Sequence, residues 1–220
     1  SSDLKTIVIG KAGQYINMML DVPERGTVFR NYSLSSNPNS NYYRISVKRE
    51  ENGLVSNYLH DMFSEGDKIK LSPPYGSLYL KETDKPAVLI SGGVGITPMI
   101  SILQDAVKQQ LTRQIYFIHG ARNRNAHAFK DDVVTLTADH DNVNHHFFYS
   151  RNSAKSADTE PGRITISSVK EIANHRKDVE FYLCGPAQMM KDLYRELINW
   201  GVTPNNIAYE YFGPRKDIIG

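Results

Sequence analysis

Cysteine is almost absent. Cys184 stands alone in 220 residues, which excludes an intramolecular disulfide and points to a reducing compartment, the cytoplasm. Long apolar runs are also missing. None approaches the roughly 20 residues of a membrane-spanning helix, and the opening segment SSDLKTIVIGKAGQ lacks the apolar stretch of a secretory signal. No membrane partner is therefore expected. Neither sign of charge is in excess: 26 Lys and Arg face 24 Asp and Glu, for a formal charge of +2. The signs alternate rather than forming blocks, which argues against a nucleic-acid partner. Metal-ligand spacing is lacking too. His145 and His146 are adjacent and would face opposite ways on a strand. His60, His127, His140 and His175 read as isolated surface residues, so no metal site is expected. There is no internal repeat and no low-complexity stretch.

What is present has the balance of an ordinary globular protein, 40% hydrophobic and 23% charged, and is long enough for one large domain or two modest ones. The chain changes texture near Pro86. Before it come short β-rich runs broken by turn residues, at 14–20, 27–35, 42–49, 67–73 and 77–80. They predict a small antiparallel barrel or sandwich over 1–84. One helix interrupts it, from Val55 to Phe63, with Ser56 or the preceding loop as its cap. From 85 to 220 strands alternate with helices, predicting a doubly wound parallel sheet, so the fold class is α/β plus β. Strands are expected at 87–91, 114–120, 143–150, 179–185 and 206–212, and 151–163 reads as a polar loop. Helices are expected after Thr97 (N-cap) and Pro98 (first position), from Phe129 to Ala138, from Ser167 to Asn174, and from Ala187 to a C-cap at Gly201.

Four motifs carry possible chemistry. GGVGIT, Gly92 to Thr97, ends a predicted strand and opens a helix, where glycines admit a pyrophosphate to the backbone and free N–H groups meet it. It departs from the full dinucleotide fingerprint because Pro98 takes the last position, and as a lone motif it reads equally well as a tight turn. RNYSLSS offers a guanidinium at Arg30 for a phosphate pair and a flat ring at Tyr32 on the same strand face, with Ser33 facing the other way. Taken alone these are a surface arginine and a half-buried tyrosine. GLVSNYLH, Gly53 to His60, is either a second phosphate-binding helix start or simply a capped helix. LCGP, Leu183 to Pro186, ends another strand. In an open α/β sheet ligands lie beyond the carboxyl ends of strands, so Gly92–Thr97, His119–Arg122 and Cys184–Pro186 should converge on one edge. Cys184 itself reads either as a nucleophile or as a small residue lining a cofactor pocket.

In combination and order, AGQYI (12–16), RNYSLSS (30–36), GLVSNYLH (53–60), GGVGITP (92–98), HGARN (119–123), LCGP (183–186) and YEYFGP (209–214) resemble the ferredoxin–NADP reductase superfamily. The similarity is strongest to the reductase portion of flavohaemoproteins, the bacterial nitric oxide dioxygenases. The resemblance implies an enzyme that takes hydride from NAD(P)H onto FAD and passes single electrons to a globin haem. Tyr15, Arg30, Asn31, Tyr32 and Ser33 would then bind FAD, with Arg30 on its pyrophosphate, Tyr32 on the isoalloxazine and Ser33 near N5. Gly53, Val55 and Ser56 would hold the FAD phosphates. Gly92, Gly93, Val94, Gly95, Ile96 and Thr97 would take the coenzyme pyrophosphate, and Cys184, Gly185 and Pro186 would line the nicotinamide pocket. Glu210, Tyr211, Phe212, Gly213 and Pro214 would border the flavin. Ser33, Tyr32, Cys184 and Glu210 are the residues expected to touch the chemistry itself.

The resemblance also raises expectations about what lies outside the chain. Only twelve residues precede Gly13, where the family places a complete barrel strand, and there is no globin domain. Haem is thus expected only on a part outside this chain or on a partner, which would make the chain a fragment of a longer protein. The alternatives are a free-standing reductase for an oxygenase or ferredoxin, or a non-catalytic flavin-binding module. The choice of NADH or NADPH stays open. Arg122 and Arg124 are either partners for a 2′-phosphate or solvated surface charges.

Overall fold

A hairpin organises the first half of the computed structural model, which describes residues 7–151, 155–156 and 158–212. β1 (Tyr15–Val22) and β2 (Gly26–Ser33) pair antiparallel from Tyr15 opposite Ser33 to Val22 opposite Gly26. Period-2 alternation turns Ile16, Met18, Leu20 and Val22 inward. β3, only Lys70–Leu71, lies on the other side of β1, giving the sheet order β2–β1–β3. α1 (Leu54–Met62) covers one face, packing Val55, Tyr58 and Leu59 with Met18, Leu20, Val22, Val28 and Tyr32.

The regular part of this half is smaller than the sequence predicts. The run 42–49 is not a strand; its pairing among the described residues is an isolated bridge from Ile45 to Leu34. Side chains take over the ladder's work there. The Arg44 guanidinium donates to the Ser35 carbonyl, and the Ser36 hydroxyl accepts from the Arg44 amide. The run 77–80 is also irregular, because Leu78 is drawn into the core of the other half. At α1 the cap is Gly53 without a side-chain bond, and the Ser56 hydroxyl donates to the Gly53 carbonyl instead of capping.

The second half is a six-stranded parallel sheet in the order β7–β6–β5–β4–β8–β9. Its strands are β4 (Ala87–Gly92), β5 (Ile115–Ala121), β6 (Val143–Tyr149), β7 (Thr159–Pro161), β8 (Glu180–Cys184) and β9 (Ile207–Glu210). β7 is an edge strand inside the segment that reads as a polar loop. Its pairing to β6 comes from tertiary position, not from apolar periodicity. Central strands are buried on both faces. Leu89, Phe117 and Tyr182 pack under α2 (Ile96–Lys108) and α3 (Lys130–Ala138). Ile90, Ile118 and Leu183 pack under α4 (Ile166–Ile172) and α5 (Ala187–Trp200). α2 begins earlier than expected, at Ile96 with Gly95 as N-cap after a short 3₁₀ turn over Gly93–Gly95. Thr97 lies inside the helix and donates to the Val94 carbonyl rather than capping. The Gly201 C-cap is left-handed (φ 95°), as predicted.

The connector between the halves is held at the base of the parallel sheet. Glu180, first in β8, accepts from Arg113 at 2.7 Å, Tyr182 at 2.9 Å and Thr83 at 3.0 Å. Arg113 also donates to the Lys81 carbonyl at 3.0 Å, and the Lys81 amide donates to the Tyr182 hydroxyl at 3.0 Å. Burial raises the Glu180 pKa, but these donors more than compensate and hold it below the usual value. Removing one partner of a buried pair leaves the other charge uncompensated. Glu180→Ala is therefore expected to lower unfolding stability by about 3–5 kcal/mol, read from urea denaturation. A change under about 1 kcal/mol would show that the clamp is dispensable.

Candidate functional site

The parallel sheet reverses its winding direction between β4 and β8, and the candidate site lies above that point. Strand pairing aligns Ser91 with both His119 and Cys184, and Gly92 with Gly120, so three of the expected motifs do converge on one sheet edge. They border a cleft of about 1010 Å³. Gly92, Gly93, Val94, Ile96 and Thr97 form one wall and Gly185, Pro186, Tyr211 and Phe212 another. The two walls touch. A Cβ on Gly95 would lie 2.2 Å from the Cys184 carbonyl oxygen, and one on Gly92 would lie 2.9 Å from Pro186. Glycine is thus required for the contact itself. Gly93, by contrast, has open space around its Cα and a left-handed φ of 55°, so its backbone faces the cleft unobstructed. Ile96 and Thr97 are buried, so neither side chain faces a ligand, and the Ile96 amide already donates to the Gly93 and Val94 carbonyls.

A second set meets where the two halves join. Tyr15 pairs with Ser33 across the hairpin, and its ring packs on Tyr75 at 4.2 Å. Gly76 approaches so closely that a Cβ there would lie 2.8 Å from the Tyr15 ring and 3.6 Å from the Glu210 carboxylate. Glu210 in turn sits opposite Cys184 in the β8–β9 register. Residues 15, 33, 76, 184 and 210 are thereby linked neighbour to neighbour. Two polar atoms here are buried with no hydrogen-bond partner, Ser33 Oγ and Glu210 Oε2. Such groups carry a desolvation penalty unless something else pairs with them. Burial pushes the Glu210 pKa up to about 8, so it holds its proton near neutrality. Burial, and secondarily Glu210, pushes the Cys184 thiol well above its ordinary value. A fully buried thiol of that kind is no nucleophile; Cys184 lies behind the cleft wall, packed in the core, while Gly185 and Pro186 border the cleft itself.

The arginine and helix-start motifs form a third side. Arg30 shares a face of β2 with Val28 and Tyr32, both packed on the cluster that contains Val55 of α1. It is exposed, and its guanidinium donates only to the neighbouring Phe29 carbonyl, at 2.8 Å. Burial raises the Tyr32 phenol pKa and the Arg30 charge opposes the shift, which puts the two side chains within electrostatic reach. Asn31 accepts from Asn17 at 2.8 Å and from the Tyr75 hydroxyl at 3.1 Å. The Val55 side chain is core, so only the amides of α1's first turn remain available to a ligand. Gly213 and Pro214 lie outside the described residues.

Two features escaped the sequence reading. Gly76 in PPYGS reads only as a turn, though its φ of 117° and its contacts place it in the site. His127 is not a surface residue. It is buried, bonded to the Tyr149 hydroxyl at 2.9 Å and stacked 4.5 Å from His119, which bonds Ser91 at 2.8 Å. Burial, then the nearby Lys130 charge, lowers the His127 pKa to about 4, leaving it neutral. Among the described residues no cluster of His, Cys, Asp and Glu is placed to hold a metal, and no helix is long and apolar enough to cross a membrane.

Known proteins share this arrangement. The oxidoreductase FAD-binding domain family matches residues 4–79 and the oxidoreductase NAD-binding domain family residues 89–195. A flavohemoprotein of Pseudomonas aeruginosa is 44% identical over 213 residues, 96% of this chain and 53% of that protein. The chain thus spans about half the length of the curated relatives it matches. The crystal structure of the flavohem-like FAD/NAD binding domain of nitric oxide dioxygenase from Vibrio cholerae superposes with a TM-score of 0.83 at 34% identity, over 95% of this chain and 88% of that one. A flavohemoglobin from Malassezia yamatoensis with bound FAD and heme shares the fold, with a TM-score of 0.84 at 24% identity, over 96% of this chain and 54% of that one.

The raised Glu210 pKa has a thermodynamic consequence. Between about 4.5 and about 8 the unfolded chain has lost the Glu210 proton while the folded chain keeps it. The group's contribution to stability is therefore complete at low pH and falls as pH rises through that window, by up to roughly 4–5 kcal/mol. Glu210→Gln should remove this slope in the flavin-free chain, measured as the wild-type minus variant stability between pH 5 and 8. Parallel profiles would mean that Glu210 is ionised and solvated.

Proposed function

The chain belongs to the FAD- and NAD-binding reductase domains of the flavohaemoprotein family, and from that membership we propose that it takes hydride from NAD(P)H onto FAD and hands electrons singly to a haem-bearing globin. The observation that carries the proposal is the pair of buried, unpartnered polar atoms, Ser33 Oγ and Glu210 Oε2, at the junction of the two halves. A planar, polar-edged ring system between them would satisfy both, and the cradle formed by Tyr15 and Gly76 has no room for a further side chain.

The residues present fit FAD. Tyr32 offers a half-buried ring to pack on the isoalloxazine, and Arg30, free of any carboxylate among the described residues, would grip the pyrophosphate. The amides of Val55 and Ser56 at the start of α1 would take remaining phosphate oxygens, with Gly53, whose own amide donates to the Glu50 carbonyl at 3.0 Å, turning the chain into the helix. FAD bound there supplies the redox chemistry, accepting a hydride and releasing its two electrons one at a time. The protein's own work is positional. Gly92–Thr97 would hold the coenzyme pyrophosphate over the start of α2. Cys184, Gly185 and Pro186 would bring the nicotinamide toward Ser33, and the protonated Glu210 would keep a donor at the flavin's edge without adding a negative charge.

The electron acceptor belongs to the part of the relatives that this chain does not span. The flavohemoprotein relatives extend to about twice its matched length, which supports a globin as the partner and nitric oxide dioxygenation as the activity of the whole. Phe212 is exposed at the rim of the cleft.

The test is a visible absorption spectrum of the chain with FAD, before and after anaerobic coenzyme. Flavin bands that bleach on addition of NADH or NADPH support the reading, and no bleaching with either refutes it. Arg30→Ala should weaken FAD binding by about 1.5–3 kcal/mol, the value of a charge-assisted hydrogen bond. An unchanged FAD dissociation constant removes Arg30 from the site.

A further inference from the structure

One edge of the cleft carries positive charge that no ion pair among the described residues neutralises. Arg122 follows the last residue of β5, Arg151 stands two residues beyond β6, and Arg163 two beyond β7. These three strands are neighbours in the sheet, so the arginines stand in a row above their carboxyl ends. The backbone ties two of them together, since the Arg151 amide donates to the Arg122 carbonyl at 2.9 Å. Arg122 and Arg163 both line the cleft, and all three are exposed. Among the described residues none is in an ion pair. The two carboxylates nearest in sequence are taken already, Asp158 by Lys130 and Glu160 by Lys155. Among the described residues the carboxylates lining the cleft are Asp192 and Glu196, both on α5 at its opposite side.

Geometry assigns this edge to one end of the coenzyme. The glycine turn at the end of β4 is the pyrophosphate position, and the flavin-facing groups Cys184 and Glu210 lie to its β8–β9 side. The nicotinamide half must run that way, so the adenosine half runs over β5, β6 and β7. A site for NADH places a carboxylate beside the adenosine ribose, where it accepts from the 2′-hydroxyl and repels a phosphate. Here that position holds guanidiniums alone. Planar, weakly hydrated and always charged, they suit a phosphate dianion better than a hydroxyl.

We propose that Arg122, Arg151 and Arg163 form a subsite for the adenosine 2′-phosphate and make NADPH the preferred coenzyme. This deepens the reductase reading and rests on it for the direction in which the coenzyme lies. Arg124 is not among the residues lining the cleft. Its charge acts on the Tyr149 phenol at the end of β6, so it contributes field rather than contact.

The experiment is isothermal calorimetry on the FAD-loaded chain with 2′,5′-ADP and 5′-ADP, ligands that differ in the 2′-phosphate and need no turnover. The expected result is binding of 2′,5′-ADP tighter by roughly tenfold or more. In the Arg122→Ala/Arg163→Ala double variant that ratio should fall below about threefold. Arg176→Ala, whose guanidinium pairs with Asp178 just before β8, at the other end of the strands, should leave the ratio unchanged and controls for loss of general positive charge. Equal affinities, or a preference that survives the double variant, overturn the subsite. Coenzyme bleaching then separates the two claims. Reduction of FAD by NADH but not NADPH defeats this inference alone, and reduction by neither defeats the reductase reading while the calorimetric ratio still judges the subsite.

Discussion

The structure depends on a contact between two backbones. Where β4 runs into α2 and β8 into α5, Gly95 lies against the Cys184 carbonyl so closely that a single methyl would fall 2.2 Å from the oxygen. No side-chain rotation relieves a clash with main chain, so glycine at this position sets how near the two strand ends come. That nearness holds open the cleft above the point where the sheet reverses direction. It also sets the start of α2 beside the same space that Gly185 and Pro186 border. Gly76 imposes a matching constraint from the other half, where a Cβ would lie 2.8 Å from the Tyr15 ring and 3.6 Å from the Glu210 carboxylate.

Electrostatics then divides the cleft. At the junction of the halves the environment is dry, and the groups there are neutral or pushed toward neutrality. The Glu210 carboxyl keeps its proton, the Cys184 thiol keeps its own, and His119 and His127 stay uncharged behind the wall. A hydride, which carries negative charge, meets no carboxylate on such a path. Above β5, β6 and β7 the surface is wet and cationic, suited to phosphate. On the proposed reading, a single sheet edge would offer a neutral end for a transferred hydride and a charged end to anchor the molecule carrying it.

Holding those two ends in register requires the halves to keep a set separation. The Arg113–Glu180 pair, with Tyr182 and Thr83, fastens the connector at the base of the sheet, far from the cleft. At the top, the Ser101 hydroxyl donates to the Ser36 carbonyl at 2.6 Å and Asn37 donates to Asp105 at 3.3 Å. α2, at whose start the coenzyme phosphates are proposed to sit, therefore also bears on the loop that follows Ser33.

Much was legible in the sequence alone, because it follows from local rules. The continuous apolar run at 87–91 and the largely apolar one at 181–184 mark buried parallel strands, and helical spacing through Ile100, Leu103 and Val107 marks the helix above them. The glycines of GGVGIT mark a turn that a side chain would block. Those patterns determine the α/β class of the second half and the convergence of three motifs on one edge. The small strands of the first half were less legible. The runs 42–49 and 77–80 have strand composition, but Arg44 and Leu78 satisfy side-chain and tertiary contacts that no periodicity records. β7 was invisible for the converse reason, a polar segment made a strand by the neighbour it lies beside. Only the tertiary structure decided which residues share the site. Ser33, Gly76, Cys184 and Glu210 are far apart along the chain, and their chemistry depends on mutual burial, which strips water from a carboxyl or a hydroxyl and leaves it unpartnered. Burial is a property of the packed whole, and a sequence carries it only through the fold.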